Sequence, residues 1–242
     1  SSFPTRGGRV IINYQDRAHE WQGRQFKRAI LFFLRTLHWE NPSAHVQFLD
    51  PNTAYIDHAV EIGKNTIIEP GVLIRGRTVI GQNCIIGFGT VIIDSEIGDG
   101  VVIKNGRIES SRINSDCIIY PGAKLINSRI KTQSHIWGKL IDARVGHHSE
   151  VGDCSIIEHS VLDHNVKIGR HVEMKRSVVR RGTKIPHRSY LGDTRVGRRT
   201  NIGAAFTTSN FDGQNKNVTI IGDDVFMGTQ TDVIAPITIP DG

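Results

Sequence analysis

The sequence is short of the residues that mark several common classes of protein. Its three cysteines, Cys84, Cys117 and Cys154, lie far apart and form no Cys-x-x-Cys pair, which argues against a disulfide framework and against structural zinc. A reducing, cytoplasmic setting fits that usage. Aromatic residues are only 7% of the chain, and none interleaves with a basic tract in the manner of single-strand nucleic-acid binders. No apolar run is long enough to cross a bilayer, and no secretory leader is recognisable. Neither charge sign dominates. Thirty Lys and Arg against 24 Asp and Glu leave a net charge of +6, an attraction for anions. The basic residues are scattered, however, so a small phosphorylated ligand fits better than nucleic acid or a membrane surface.

Glycine, by contrast, is abundant at 25 residues, and Ile and Val recur in short runs, a composition suited to many short strands joined by tight corners. Two regions follow, 1–49 and 50–242. The first holds a short strand candidate at Val10 to Ile12. It then holds an amphipathic helix from about Gln15 to Trp39, where Trp21, Phe26, Ile30, Phe33, Leu34 and Leu37 recur at near-helical spacing among Arg24, Lys27, Arg28 and Arg35. The helix is expected to end before Asn41-Pro42. It could cover the end of the following domain, dock on a partner or lie on a membrane.

From Ile56 onward the sequence is periodic. Ile56, Ile62, Ile68, Ile74, Ile80, Ile86 and Ile92 stand six apart. The spacing then slips between five and six through Ile97, Ile103, Ile108, Ile113, Ile119, Leu125, Ile130, Ile136, Ile141, Val145, Val151 and Ile157. It resumes at Ile168, Met174, Val179, Ile185, Leu191, Val196 and Ile202, and, after a gap, at Ile221, Met227, Val233 and Ile239. An aliphatic residue every six, followed by glycine or a small polar residue, is the hexapeptide repeat of a parallel β-helix. Three hexads make one coil, so about ten coils are expected, with the glycine turning the corner at positive φ. Five-residue steps are then corners shortened by one residue. Cys84 and Cys117 fall at small interior positions and read as core. His147, His148, His159 and His164 invite a metal reading, but their spacing fits no ligand set, and solvated corners are expected.

The stretch from Ile185 to Lys216 concentrates His187, Tyr190, Asn201, Asn210 and Lys216 and breaks the repeat with a polar loop. In and around it stand Val172-Glu-Met-Lys175, Gly182-Thr-Lys-Ile-Pro-His187-Arg-Ser-Tyr190-Leu-Gly-Asp193, Thr200-Asn201-Ile-Gly-Ala204, Ser209-Asn210-Phe-Asp-Gly213, Lys216 and Ile221-Gly-Asp-Asp-Val-Phe226. Hexads alone also fit γ-type carbonic anhydrases and nucleotidyltransferase tails. With these motifs the chain resembles the hexapeptide acyltransferases, and among them the acetyltransferase half of the bifunctional glucosamine-1-phosphate acetyltransferases and N-acetylglucosamine-1-phosphate uridylyltransferases.

The resemblance implies an all-β fold, a left-handed parallel β-helix, assembled as a homotrimer. It also implies transfer of an acetyl group from acetyl-CoA to the amine of an aminosugar phosphate, on the route to UDP-N-acetylglucosamine, with no metal in this half. By the same resemblance His187 is the general base. Lys175, Tyr190, Asn201 and Lys216 hold the sugar and its phosphate, and Glu173 and Asn210 orient the amine. Asn210 lies on an extended loop from Phe206 to Thr219, and Ala204 and Thr229 meet the acetyl-CoA arm. These residues are expected at similar heights on one side of the prism. The family's phosphate-clamping arginine, counted back from Val172-Glu-Met-Lys175, falls on Ile157, leaving Arg180, Arg181 and Arg188 as the cations offered in its place. The family's Gly-Ala-Gly stands here as Gly203-Ala204-Ala205. A β-helix tail linked to a nucleotidyltransferase, and a regulatory or assembly β-helix with a weakened site, are the alternatives.

Overall fold

A computed structural model describes residues 45–242 and two short strands, Thr5–Arg6 and Arg9–Ile11. The helix expected over Gln15 to Trp39 lies outside the described residues.

The periodic region is a three-faced parallel solenoid. Its first face begins with the strand Gln47–Phe48 and ends with Phe226–Met227. The second runs from Tyr55–Ile56 to Asp232–Ile234, and the third from Glu61–Gly63 to Ile237–Ile239. Each coil contributes one strand to each face, and each strand pairs in parallel with the corresponding strand of the next coil. The first two faces have 11 strands each, so the solenoid has 11 coils where the sequence suggests about ten. Arg9–Ile11 pairs antiparallel with Glu61–Gly63 and covers the starting edge of the third face.

The hexad aliphatics line the axis. Ile68, Ile86, Ile103, Ile119, Ile136, Val151, Ile168, Ile185 and Ile202 stack behind the first face and are fully or almost fully buried. Each such burial contributes about 1.5–3 kcal/mol. The expected register slips at one place. Leu140, not Ile141, pairs with Leu125 and Ile157 and is buried. The corner after Ile136 consists of Trp137, Gly138 and Lys139 alone, so the step is four residues and a count of five overshoots. Leu162, absent from the expected series, completes the third face between Val145 and Val179.

The glycines after the hexad aliphatics do not turn the corner. Among the described residues the positive-φ positions lie two residues further on and are mostly not glycine, as at Asn65, Asn83, Asp116, Asn165 and Arg199. The glycine is needed because the next coil passes too close for a side chain. A Cβ at Gly63 would stand 2.5 Å from the Gln82 nitrogen, and one at Gly152 2.4 Å from the Gly169 oxygen.

Small polar residues fill the interior corners and most are satisfied coil to coil, although the buried Thr90 and Thr219 hydroxyls find no partner among the described residues. The Ser134 hydroxyl donates to the Gly146 carbonyl at 2.8 Å and accepts the Ser149 N–H at 3.2 Å. The Ser149 hydroxyl in turn donates to the Asp163 carbonyl and accepts the Val166 N–H. Cys84 and Cys117 occupy the same kind of position and are buried.

The repeat is interrupted once, at the corner between the second and third faces. Thr207–Ser209 is still a strand and Phe206 is core, so the excursion spans only 210–218, within the loop expected from Phe206 to Thr219.

Candidate active site

The corner loop is held by one carboxylate at its base and another at its tip. At the base, the Asn210 amide, 5% exposed, donates to Asp193 Oδ2 at 2.5 Å. Asp193 also receives Arg176 in a two-point fork, Nε to Oδ1 at 2.6 Å and Nη2 to Oδ2 at 2.7 Å. These donors, Arg176 first, hold the Asp193 carboxyl below its ordinary range, and the charge of Lys216 adds to the effect. At the tip, Asp212 accepts the backbone N–H groups of Gln214 and Asn215 and the Asn217 side-chain amide, all within 2.7–2.8 Å. Its pKa falls to about 2 in consequence. Phe211 and Lys216 face each other across the loop, with Lys216 Nζ 4.7 Å from the ring centre.

Beside the loop the second face carries two outward rows. One stacks Ile156, Glu173, Tyr190 and Thr207, and the other Glu158, Lys175 and Gly192. At Gly192 the glycine makes room for site side chains rather than for the next coil's backbone. A Cβ there would lie 2.5 Å from Asn210 Nδ2 and 2.7 Å from the Tyr190 hydroxyl. Both groups therefore occupy the space over Gly192. With its Nδ2 committed to Asp193, Asn210 leaves Oδ1 as an acceptor that no described residue uses.

Some of the expected site residues are brought together and others are not. Glu173, Lys175 and Tyr190 share the second face, Asn210 and Lys216 border it at one corner, and His187, Ala204 and Thr229 border it at the other. Asn201 stands on the first face, between Lys184 and Phe226 in register. The set thus spans two faces and two corners of the prism rather than one side. The His187 imidazole is exposed, takes no hydrogen bond from the described residues, and lies beside Arg170 of the preceding coil. Ala205, after Ala204, is left-handed at φ 58.

The count that places the family's arginine at Ile157 fails in the structure. Ile157 is fully buried, paired with Leu140 and Met174, and could never face a substrate. The register puts Glu158 beside Lys175, and their side chains form an ion pair at 3.2 Å. Arg180 and Arg181 follow Val179 at the corner between the third and first faces, which does not border the second face of the same chain. Arg188 alone of the three stands at a bordering corner. Glu158, Arg176 and Asp193 are site residues that sequence spacing missed. Only Asp193 had a signal, in the motif Tyr190-Leu-Gly-Asp193.

His147, His148 and His164 stand elsewhere, at the corner between the third and first faces, while His159 lies at the corner between the second and third, its Nδ1 3.4 Å from Asp142 Oδ2. The His147 and His164 rings lie 5.0 Å apart, and His164 Nδ1 accepts the His147 backbone N–H at 3.1 Å. His147 Nδ1 meets the Thr132 hydroxyl. Among the described residues no three His, Cys, Asp or Glu side chains stand close enough to hold a metal ion, and no helix is long and apolar enough to cross a membrane.

Residues 59–94 match the family model of the bacterial transferase hexapeptide (six repeats). Residues 122–205, which carry Glu173, Lys175, His187, Tyr190, Asn201 and Ala204, match that of the GlmU-like, C-terminal hexapeptide. The solenoid is a GlmU-like hexapeptide domain. The bifunctional protein GlmU of Listeria welshimeri is 38% identical to it over 196 residues, covering 81% of this chain and 36% of that protein. GlmU of Enterococcus faecalis is 38% identical over 206 residues, covering 85% and 38% respectively. GlmU of Heliobacterium modesticaldum is 39% identical over 241 residues, covering 98% and 46%. The chain thus spans between about a third and a half of the length of the GlmU relatives it matches.

Proposed function

We propose that this GlmU-like domain is an N-acetyltransferase that moves the acetyl group of acetyl-CoA onto the amine of an aminosugar phosphate of the glucosamine-1-phosphate type, a step toward UDP-N-acetylglucosamine. The observation that carries the reading is the 38–39% identity to bifunctional GlmU proteins over 81–98% of the chain. In this reading the substrate amine attacks the thioester carbonyl as His187 takes the proton it sheds, a contribution worth about 10²–10⁴-fold in rate. The C–S bond then breaks, and the departing thiolate recovers that proton from the imidazolium. Asn210, anchored through Nδ2, turns Oδ1 toward the amine, and Glu173 on the adjoining face orients it from the other side. Lys175, Tyr190, Asn201 and Lys216 hold the sugar and its phosphate. Ala204 and Thr229, on the corner of His187, meet the acetyl-CoA arm. Because the set spans two faces, a homotrimer that sets the first face of one copy against the second face of another brings it into one cleft. A cytoplasmic location belongs to the same reading.

The test is thiol release from acetyl-CoA with glucosamine 1-phosphate as acceptor. His187→Ala should lower turnover by about 100-fold or more while the thermal melt stays at the wild-type temperature. Unchanged turnover in the variant, or no turnover in the wild-type chain, overturns the assignment.

A further inference from the structure

The corner between the second and third faces carries a ladder of side chains that ends at the candidate site. Successive coils place Asn127, Asp142, His159, Arg176 and Asp193 there, each left-handed at φ of 47–50. The next rung, 17 positions after Asp193, is Asn210, where the loop leaves the solenoid. The acidic rungs are bonded from both sides. Asp142 accepts the Asn127 amide and faces His159 Nδ1 at 3.4 Å. Asp193 accepts the Arg176 fork from one side and the Asn210 amide from the other. The two triplets share one plan, a donor, a carboxylate and a donor on successive coils, but only the second ends on a residue of the site.

The chemistry of the rung decides how Asn210 sits. An ionised carboxylate accepts and cannot donate, so an amide beside it has to present its nitrogen. The two ends of an amide are nearly the same size, and packing alone would not choose between them. Arg176 keeps Asp193 ionised and, by bonding both oxygens, fixes the plane of the carboxylate. Asp193 is also the better shielded acid of the two triplets, its side chain 14% exposed against 35% for Asp142, so water competes less for its bonds.

We propose that Asp193 is a positioning residue of the acetyl-transfer site: locked by Arg176, it sets which end of the Asn210 amide meets the substrate amine. The inference rests on the acetyl-transfer reading. With Oδ1 held toward the amine, Asn210 accepts one of its N–H groups, and the nitrogen lone pair stays free for the thioester carbonyl. With the amide turned round, Nδ2 would donate to that lone pair and occupy the electrons that have to attack. The sugar and phosphate contacts are made by other side chains, so the turned amide costs turnover rather than affinity.

The experiment measures kcat and KM for glucosamine 1-phosphate in the full chain. Asp193→Asn offers Asn210 a donor and an acceptor alike, so the amide is no longer directed. Its kcat should fall about tenfold, the weight of one directed hydrogen bond, with KM within about twofold of the wild type. In an Asn210→Ala background the same substitution should lower kcat no further, because Asp193 acts through Asn210. Arg176→Gln should lower kcat by about threefold or more, and Arg176→Lys, which keeps the charge, should recover most of it. Asp142→Asn breaks the matching triplet three coils away, about 14 Å along the axis, and should leave kcat as it is. An undiminished kcat in Asp193→Asn, an equal further loss in the Asn210→Ala background, or the same fall on Asp142→Asn overturns the proposal. If Asp193→Asn fails to fold, the Arg176 variants carry the test, and equal kcat in Arg176→Gln and the wild type overturns it. A wild-type chain without turnover overturns the acetyl-transfer reading itself, an outcome distinct from a live wild type that is indifferent to Asp193.

Discussion

Replacing Gly192 by alanine isolates the join between the loop and the second face. The backbone permits the change, since Gly192 is outside the left-handed region. Alanine at an unstrained glycine ordinarily stabilises by about 0.4–1 kcal/mol through the unfolded state. Against this stands the new Cβ, 2.5 Å from Asn210 Nδ2 and 2.7 Å from the Tyr190 hydroxyl. Tyr190 is half-exposed and can swing outward, but Asn210 is 5% exposed and tied to Asp193. Overpacking of this kind costs about 1–3 kcal/mol, so the expected net loss is about 1–2 kcal/mol, or roughly 2–4 °C in Tm per kcal/mol at this chain length. Differential scanning calorimetry reads the shift, and limited proteolysis reads whether 210–218 comes loose. In an Asn210→Ala background the same substitution should cost less than in the wild type, because the clash partner is gone. A Gly192→Ala chain that melts at or above the wild-type temperature, with the loop equally resistant, refutes the reasoning.

Other outcomes follow from the same residues. Glu158→Gln frees Lys175 and should lower KM for glucosamine 1-phosphate by up to about fivefold, the range of a partly exposed pair; an unchanged or raised KM means that the pair does not compete with the phosphate. Asp212, depressed to about pKa 2, lends order to the loop that is complete above the ordinary carboxyl value near 3.8 and disappears as pH falls through 2. Measured against the intrinsic exchange rate at each pH, the Gln214 and Asn215 amides should therefore be protected at pH 5 and lose that protection near pH 2, and Asp212→Ala should leave them unprotected at both. Burial raises the Cys84 thiol and pushes Cys117 up to about 11. The Cys154 thiol is raised as well, by desolvation and the neighbouring Asp153, but it alone is exposed, so access decides: a maleimide near pH 7.5 should label Cys154 alone, and Cys154→Ser should take up no label.

Much of the fold was legible because nearly every interior position is a β-branched or leucine side chain, and its spacing survives corners of five or six residues. Legibility failed where a corner left that range. At Trp137-Gly138-Lys139 two adjacent aliphatics, Leu140 and Ile141, could each continue the series, and only strand register chooses between them. The glycine after each aliphatic was visible, but its cause was not, since the crowding comes from a coil about 17 residues away. The site divides in the same way. His187, Tyr190, Lys175 and Asn210 stand in contiguous motifs. Glu158 is hidden because this coil is one residue shorter than the count of 18 that led to Ile157, so the equivalent outward position moves by one. Arg176 is hidden because its partner Asp193 lies one coil further on.

The coil-to-coil pairing also acts as a ruler. Every group on the solenoid sits at a height fixed by its coil number, in steps of about 4.8 Å, while its bearing around the axis is fixed by its place within the coil. Deleting one complete coil between Trp137 and His187 would draw these two side chains together by one step and leave both at the same corner. A change of one residue within a coil instead turns a side chain from outside to inside at the same height. Reach and orientation are therefore adjusted separately in this architecture, and the distance between two groups on one corner is measured in whole coils.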